Sequence, residues 1–185
     1  MRIGVLEAGE LPEDLQPRWG LYPDLFARLL AGRGLELVTW RVHAGEVPAS
    51  AEAAEGWIIT GSRHAVYEDH PWLPPLEALI RDAAARRVPM AGICFGHQAM
   101  AKALGGRVEK SPRGWGIGVH EWAVGDDPLR LCAAHQDQVV EVPAGARVTA
   151  ASEFCPVAAL EWEEAPFLAW QGHPEFTTDF VRELI

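Results

Sequence analysis

The chain has 185 residues, 49% of them hydrophobic and 23% charged, with 18 glycines and 14 prolines. That length corresponds to about one domain, and it suffices to bury a core without disulfide or metal support. Sixteen basic against 26 acidic residues give a formal charge of −10, a surface that repels phosphate backbones and anionic lipid and so disfavours nucleic-acid and membrane partners.

No apolar run approaches the roughly 20 residues that span a bilayer. Glu7 and Glu10 interrupt the N-terminal apolar stretch before a signal-peptide core is complete, so the expected compartment is the cytoplasm. Residues 2–8 read as a buried strand, followed by turn residues at Gly9 and Pro12. Leu25, Phe26, Leu29 and Leu30 have helical spacing and predict a helix over 22–30, closed by Gly32 and Gly34. A second strand is predicted over 35–42 and a connection with one helical turn over 44–55. A third strand over 57–60 stops at Gly61-Ser62.

A loop over 63–71 leads into a predicted helix over 72–87 with prolines in its first turn. A fourth strand over 88–93 and a helix over 95–104, closed by Gly105-Gly106, complete a strand–helix alternation. That alternation predicts an α/β fold, a doubly wound and mostly parallel sheet with helices on both faces. Beyond Arg107 the pattern changes. Stretches over 117–124, 138–142, 147–151, 158–162 and 167–170 read as a small antiparallel addition and edge strands, and 180–185 has a helical pattern. No internal repeat, linker or low-complexity tract divides the chain, so a single domain over 1–185 is expected.

The chemistry concentrates at Gly92-Ile93-Cys94-Phe95-Gly96-His97-Gln98. A buried strand runs directly into a helix with a nucleophilic side chain at the junction and glycine two residues to either side. This is the nucleophile-elbow pattern with cysteine in place of serine. The sharp turn needs glycines where neighbouring backbones approach. It projects the sulfur above the C-terminal edge of the sheet, where such folds bind ligands. The helix N-terminus favours a thiolate and a developing oxyanion. Cys132 and Cys155 have no such setting, and an odd count of three without paired spacing suggests neither a disulfide framework nor a zinc cluster. A thiolate needs an imidazole to take its proton and return it to the leaving amine, and the imidazole needs a carboxylate on its other nitrogen. His173-Pro174-Glu175, after the 167–170 strand, supplies both, because residues two apart in extended backbone point to one side.

On these residues the chain resembles class I glutamine amidotransferase domains. The resemblance covers nearly the whole chain, including Ile59-Thr60-Gly61-Ser62 and Ala134-His135-Gln136-Asp137-Gln138-Val139. It is closest to stand-alone members similar to the amidotransferase domain of GMP synthase and to γ-glutamyl peptidases. It implies a flavodoxin-like sheet, Cys94 as nucleophile, His173 as general base and acid, and Glu175 as its orienting partner. The implied reaction is hydrolysis of a γ-glutamyl amide through a thioester. The oxyanion hole would combine the N–H of Phe95 with one from Gly61-Ser62. Many members carry Gly-Gly-Pro there, whereas this chain reads Gly61-Ser62-Arg63, and the serine Cβ restricts the turn while keeping the N–H. For the amino-acid end of the substrate the family suggests Gln98 and the backbone near Trp115-Gly116, with Asp137 a charge partner for an α-ammonium.

The expected substrate is L-glutamine, with release of glutamate and ammonia, and ammonia use calls for a separate synthase subunit because 185 residues leave no room for an ATP-dependent synthase. The alternative is a γ-glutamyl peptidase or hydrolase acting on glutathione-like compounds or γ-glutamyl amines. A catalytically silent binding module is disfavoured by the presence of Cys94, His173 and Glu175 together. No Gly-x-Gly-x-x-Gly or phosphate loop is present, so no cofactor is expected. His64 and His70 flank Glu68-Asp69 at a spacing that matches no compact ligand motif, so a surface or lid loop is expected and no metal. His97 and His135 are expected to support the pocket, and most of the eight tryptophans to lie in the core or on a substrate wall.

Overall fold

The computed structural model describes residues 1–184. Strand β1 (Arg2–Leu6) is followed by the short helix α1 (Gln16–Trp19) and by α2 (Tyr22–Leu29). Helix α2 starts with a proline in its first turn, and its N-terminal backbone is tied by a 2.7 Å bond from the Leu21 N–H to Asp24 Oδ2. Strand β2 (Glu36–Trp40) and two 3₁₀ turns, Val42–Ala44 and Ala51–Ala53, lead to β3 (Gly56–Ile59). Helix α3 (Leu73–Arg86) buries Leu73, Leu76, Leu79, Ile80 and Ala83, an apolar stripe at helical spacing, and stops where Arg87 turns left-handed. Strand β4 (Met90–Ile93) runs directly into α4 (Phe95–Ala103). Strands β5 (Arg107–Lys110), β6 (Gly116–Val124), β7 (Asp127–His135), β8 (Asp137–Glu141), β9 (Ala146–Ala150), β10 (Ala159–Trp162) and β11 (Phe167–Trp170) follow, and α5 (Thr178–Leu184) ends the described residues.

Seven strands form one sheet in the order β2-β1-β3-β4-β11-β10-β9. The run from β2 to β11 is parallel, and β10 and β9 are added antiparallel. Two smaller antiparallel ladders, β5–β8 and β6–β7, stand beside it. The main core gathers Leu6, Trp57, Ile59, Leu76, Ile80, Phe95, Met100 and Phe167 between the sheet and its helices. Gly4 makes room for the Trp57 ring, since a Cβ there would come within 2.1 Å of it. Helix α4 is buried on nearly every side, which accounts for its alanine-rich composition.

The doubly wound parallel sheet with a small antiparallel addition is the predicted architecture, and the first four strands and three longer helices lie within a few residues of their predicted ranges. Three expectations need correction. Residues 167–170 are not an edge strand. β11 lies inside the sheet, parallel to β4 and antiparallel to β10. Its alternation is real, because Phe167 and Ala169 are buried while Leu168 is 40% exposed, but it reflects cover on one face only. Strands β5 and β7 carry no predicted counterpart: Arg107–Lys110 is mostly charged, and Asp127–His135 begins with an acidic residue and a proline. The terminal helix starts at Thr178 rather than at 180, and residue 185 of its predicted range lies outside the described residues.

Candidate active site

The site is built where β4 ends. Cys94 adopts φ 53°, ψ −101°, and among the described residues only it and Arg87 are non-glycines with positive φ. Such a conformation costs about 1–3 kcal/mol and persists only where its surroundings enforce it. Here the Cys94 N–H donates to Trp170 O on β11 at 2.7 Å, and its carbonyl accepts the Gln98 N–H at 3.1 Å to begin α4. The flanking glycines are sterically required. A Cβ at Gly92 would stand 2.5 Å from Gly96 O, and one at Gly96 would stand 2.4 Å from Ile59 O. The sulfur therefore sits at the N-terminal, electropositive end of a helix.

His173 follows β11, the strand adjacent to β4, and its N–H donates to Cys132 O on β7 at 2.8 Å. Its ring is buried and stacks on Phe176, with centroids 3.9 Å apart and planes within 2°. Nδ1 lies 2.7 Å from Glu175 Oε1, and both side chains are buried. Burial alone would lower the imidazolium, but the charges of Glu175 and of the Cys94 sulfur outweigh it. Together with hydrogen bonds to both, they push His173 up to about 10. With Nδ1 held by Glu175, Nε2 is the ring nitrogen without that partner.

These groups open into a cleft of about 580 Å³ whose walls include Tyr22, Ser62, Gln98, Trp115, Asp137 and Phe176. Phe95 heads α4 with its ring buried against Trp72. Gly61 lies against the site: a Cβ there would come 3.0 Å from His173 Cε1 and 3.1 Å from the Tyr22 ring. Ser62 lines the cleft, and its Oγ accepts the His64 N–H at 3.1 Å. Gln98 is buried on the wall with its amide nitrogen donating to Asp137 O at 2.9 Å and to Gln171 Oε1 at 3.1 Å. Asp137 O also lies 3.1 Å from His135 Nδ1, and Asp137 Oδ1 accepts from Tyr67 Oη at 3.1 Å. Trp115 is 63% exposed on the cleft wall. Gly116 instead packs under Phe154, whose ring a Cβ would meet at 2.4 Å.

Cys94, His173, Ser62, Gln98, Trp115 and Asp137 thus line one cleft, with Glu175 on the buried side of the imidazole, Phe95 next after Cys94 and Gly61 against His173, whereas Gly116 does not line it. His97 and His135 are buried, and burial holds both down to about 4, so each is neutral at physiological pH. Several neighbours carry no signal in the sequence. Tyr22 reads only as the start of a helix, yet its hydroxyl is held well above the phenol range by burial and by the charges of Cys94 and Glu175. Phe176, stacked on the imidazole, carries no signal of its own beyond following His173-Pro174-Glu175. The 63–71 loop is a loop as expected, but its turns bring His64, Glu68 and His70 together on the cleft rim.

A doubly wound sheet with a cysteine on a strained elbow, beside a buried histidine–carboxylate pair, is the layout of an α/β enzyme suited to acyl transfer through sulfur. The family model for glutamine amidotransferase class-I matches residues 22–180, and the chain belongs to that family. It is 33% identical over 183 residues to gamma-glutamyl peptidase 4 of Arabidopsis thaliana, covering 90% of this chain and 72% of that protein. With the glutamine-hydrolyzing GMP synthase of Azoarcus sp. it shares 37% identity over 139 residues, which is 66% of this chain and 26% of that protein. The crystal structure of a glutamine amido transferase from Methylobacillus flagellatus superimposes with a TM-score of 0.81 at 30% identity, covering 99% of this chain and 73% of that one. No helix of the described residues is long and apolar enough to cross a membrane.

Proposed function

We propose that the chain acts as a single catalytic domain that hydrolyses the γ-amide of L-glutamine by acyl transfer through Cys94. The observation that carries this reading is the buried 2.7 Å His173–Glu175 pair beside a cysteine on a strained elbow. The sulfur attacks the γ-carbonyl. The tetrahedral oxyanion is met by the N–H of Phe95 and one from Gly61 or Ser62, donors whose preorganisation is commonly worth about 3 kcal/mol each. The imidazolium of His173, stabilised by Glu175, protonates the departing nitrogen as the C–N bond breaks, leaving a γ-glutamyl thioester. His173 then takes a proton from water, which attacks the thioester and frees glutamate and Cys94. Gln98 shapes the wall near the substrate's amino-acid end, and Asp137 pairs with the α-ammonium. The acceptor that this reading calls for is a separate synthase subunit that uses the ammonia.

A second reading is favoured by the size of the cleft. About 580 Å³ lies in the range that holds a drug-sized ligand, and glutamine does not fill it. In a γ-glutamyl peptide or amine the leaving group lies on the far side of the γ-carbonyl from the α-ammonium, takes up the remaining space and departs as an amine rather than ammonia. The test is a panel of γ-glutamyl substrates with ammonia and amine release measured separately, and with Cys94→Ala as the blank. Release of ammonia from glutamine that vanishes in the blank is expected. Preferred turnover of γ-glutamyl peptides selects the second reading, and no Cys94-dependent turnover of any member overturns both.

A further inference from the structure

The loop between β3 and α3 carries a cluster that the proposed chemistry does not use. A single oxygen, Glu68 Oε2, lies 2.8 Å from His70 Nε2 and 3.4 Å from His64 Nδ1. All three donor atoms fall within 4.8 Å of one another. A tetrahedral zinc ion with bonds of about 2.0–2.1 Å holds neighbouring donor atoms roughly 3.3 Å apart. Two of the observed separations straddle that value, so small side-chain movements suffice to admit an ion.

The imidazoles are also held in place. His70 stacks on Trp72 at 5.6 Å with planes 18° apart, and His64 meets the same indole edge-on at 5.9 Å. The two imidazole centroids are 4.4 Å apart. Backbone bonds fix the turns that carry them: the Glu68 N–H donates to Ala65 O and the Leu73 N–H to His70 O, both at 3.1 Å. The His64 N–H is tied to Ser62 Oγ. Two imidazoles and one carboxylate suit a borderline divalent ion far better than calcium or magnesium, which take mainly oxygen ligands.

We propose that His64, Glu68 and His70 form a three-ligand site for a divalent transition-metal ion of the zinc class on the rim of the cleft. His64 and Glu68 also line the cleft that contains Cys94, so a bound ion would pin the segment that begins at Ser62. Its remaining coordination position takes water or an anionic group of a molecule in the cleft.

The test must separate this site from the thiol and imidazole at the elbow, which also attract zinc. Tag-free protein carrying Cys94→Ala is titrated with zinc(II) by calorimetry and with cobalt(II) by absorption. One ion per chain is expected, with cobalt d–d bands and no thiolate charge-transfer band. Adding His70→Ala or the near-isosteric Glu68→Gln should weaken binding by about tenfold or more, with circular dichroism confirming the fold. Absence of binding in the Cys94→Ala protein, or binding that neither second substitution changes, overturns the proposal.

Discussion

Replacing Gly96 by alanine adds one methyl group at the tightest point between the elbow helix and the sheet. The new carbon would stand 2.4 Å from Ile59 O and 2.8 Å from Ile59 Cβ. A carbon–oxygen contact needs roughly 3.3 Å, so α4 must draw back from β3 by about 0.9 Å. Both atoms it meets belong to a buried strand, so neither can yield cheaply. Overpacking of this kind costs about 1–3 kcal/mol, which for a chain of this size lowers Tm by roughly 2–12 °C. The catalytic consequence is larger than the structural one. The displaced helix carries the Phe95 N–H and the backbone that follows Cys94, and a misplacement of about 1 Å is commonly worth about 10²-fold in rate. The expected outcome is a folded protein whose kcat for its best γ-glutamyl substrate falls by about 10²-fold, with KM much less affected. Labelling of Cys94 by a glutamine-like electrophile should slow in parallel. Wild-type kcat and labelling in a Gly96→Ala protein with the expected loss of Tm would refute the claim that close α4–β3 packing sets the geometry of the nucleophile.

Other consequences are open to simpler measurements. A glutamine-like electrophile followed by peptide mapping should modify Cys94 first, because burial raises Cys132 and pushes Cys155 up to about 12; dominant labelling at either of those two would remove Cys94 as the nucleophile. His173→Ala should cost on the order of 10³-fold or more in turnover, and Glu175→Gln less, because in the proposed mechanism Glu175 orients and stabilises the imidazolium without taking the proton. Wild-type turnover of Glu175→Gln across the pH range would leave Glu175 a structural residue only. Glu7 is 1% exposed and burial raises its carboxyl to about 7, against the opposing charge of Arg41. Between its unfolded value near 4.5 and about 7, the folded state keeps a proton that the unfolded state has lost. Stability contributed by this group therefore falls by about 3 kcal/mol as pH rises through that window. Denaturant titrations of Glu7→Gln should show a flatter profile and higher stability at pH 8 than the parent, and an unchanged pH dependence would refute the assignment.

Much of the architecture is legible because its signals are local. Apolar runs bounded by glycine mark β1, β3 and β4, and the elbow is spelled out by Gly92, Cys94 and Gly96, each fixed by a contact within a few residues or with the neighbouring strand. What is not legible depends on partners distant in sequence. Phe167–Trp170 alternates like an edge strand, and only its pairing with both β4 and β10 makes it internal. Asp127–His135 is recruited by β6, against the discouragement of Pro128. At the site, Tyr22 belongs to a helix far from any motif, and only the packing of α2 brings it to the cleft. His64, Glu68 and His70 match no ligand spacing in the sequence because turns, rather than helical or extended periodicity, bring them together.

The placement of β11 beside β4 separates two design problems that many enzymes must solve together. Trp170 is in register with Ile93, so Cys94 and His173 leave one rung of this ladder on adjacent strands, Cys94 one residue beyond Ile93 and His173 three residues beyond Trp170. The chain between α4 and β9 leaves the sheet without entering that ladder, and it meets the backbone of His173 through the bond from the His173 N–H to Cys132 O on β7. Loops and hairpins in this excursion can therefore change in length or composition while the sulfur and the imidazole keep their spacing, provided β7 keeps its bond to His173. Trp115 and Asp137, on the cleft wall, both belong to it. Cleft wall and proposed reacting pair are thus carried by different segments of the chain, so the one can be altered by substitution in the excursion without touching the β4–β11 ladder.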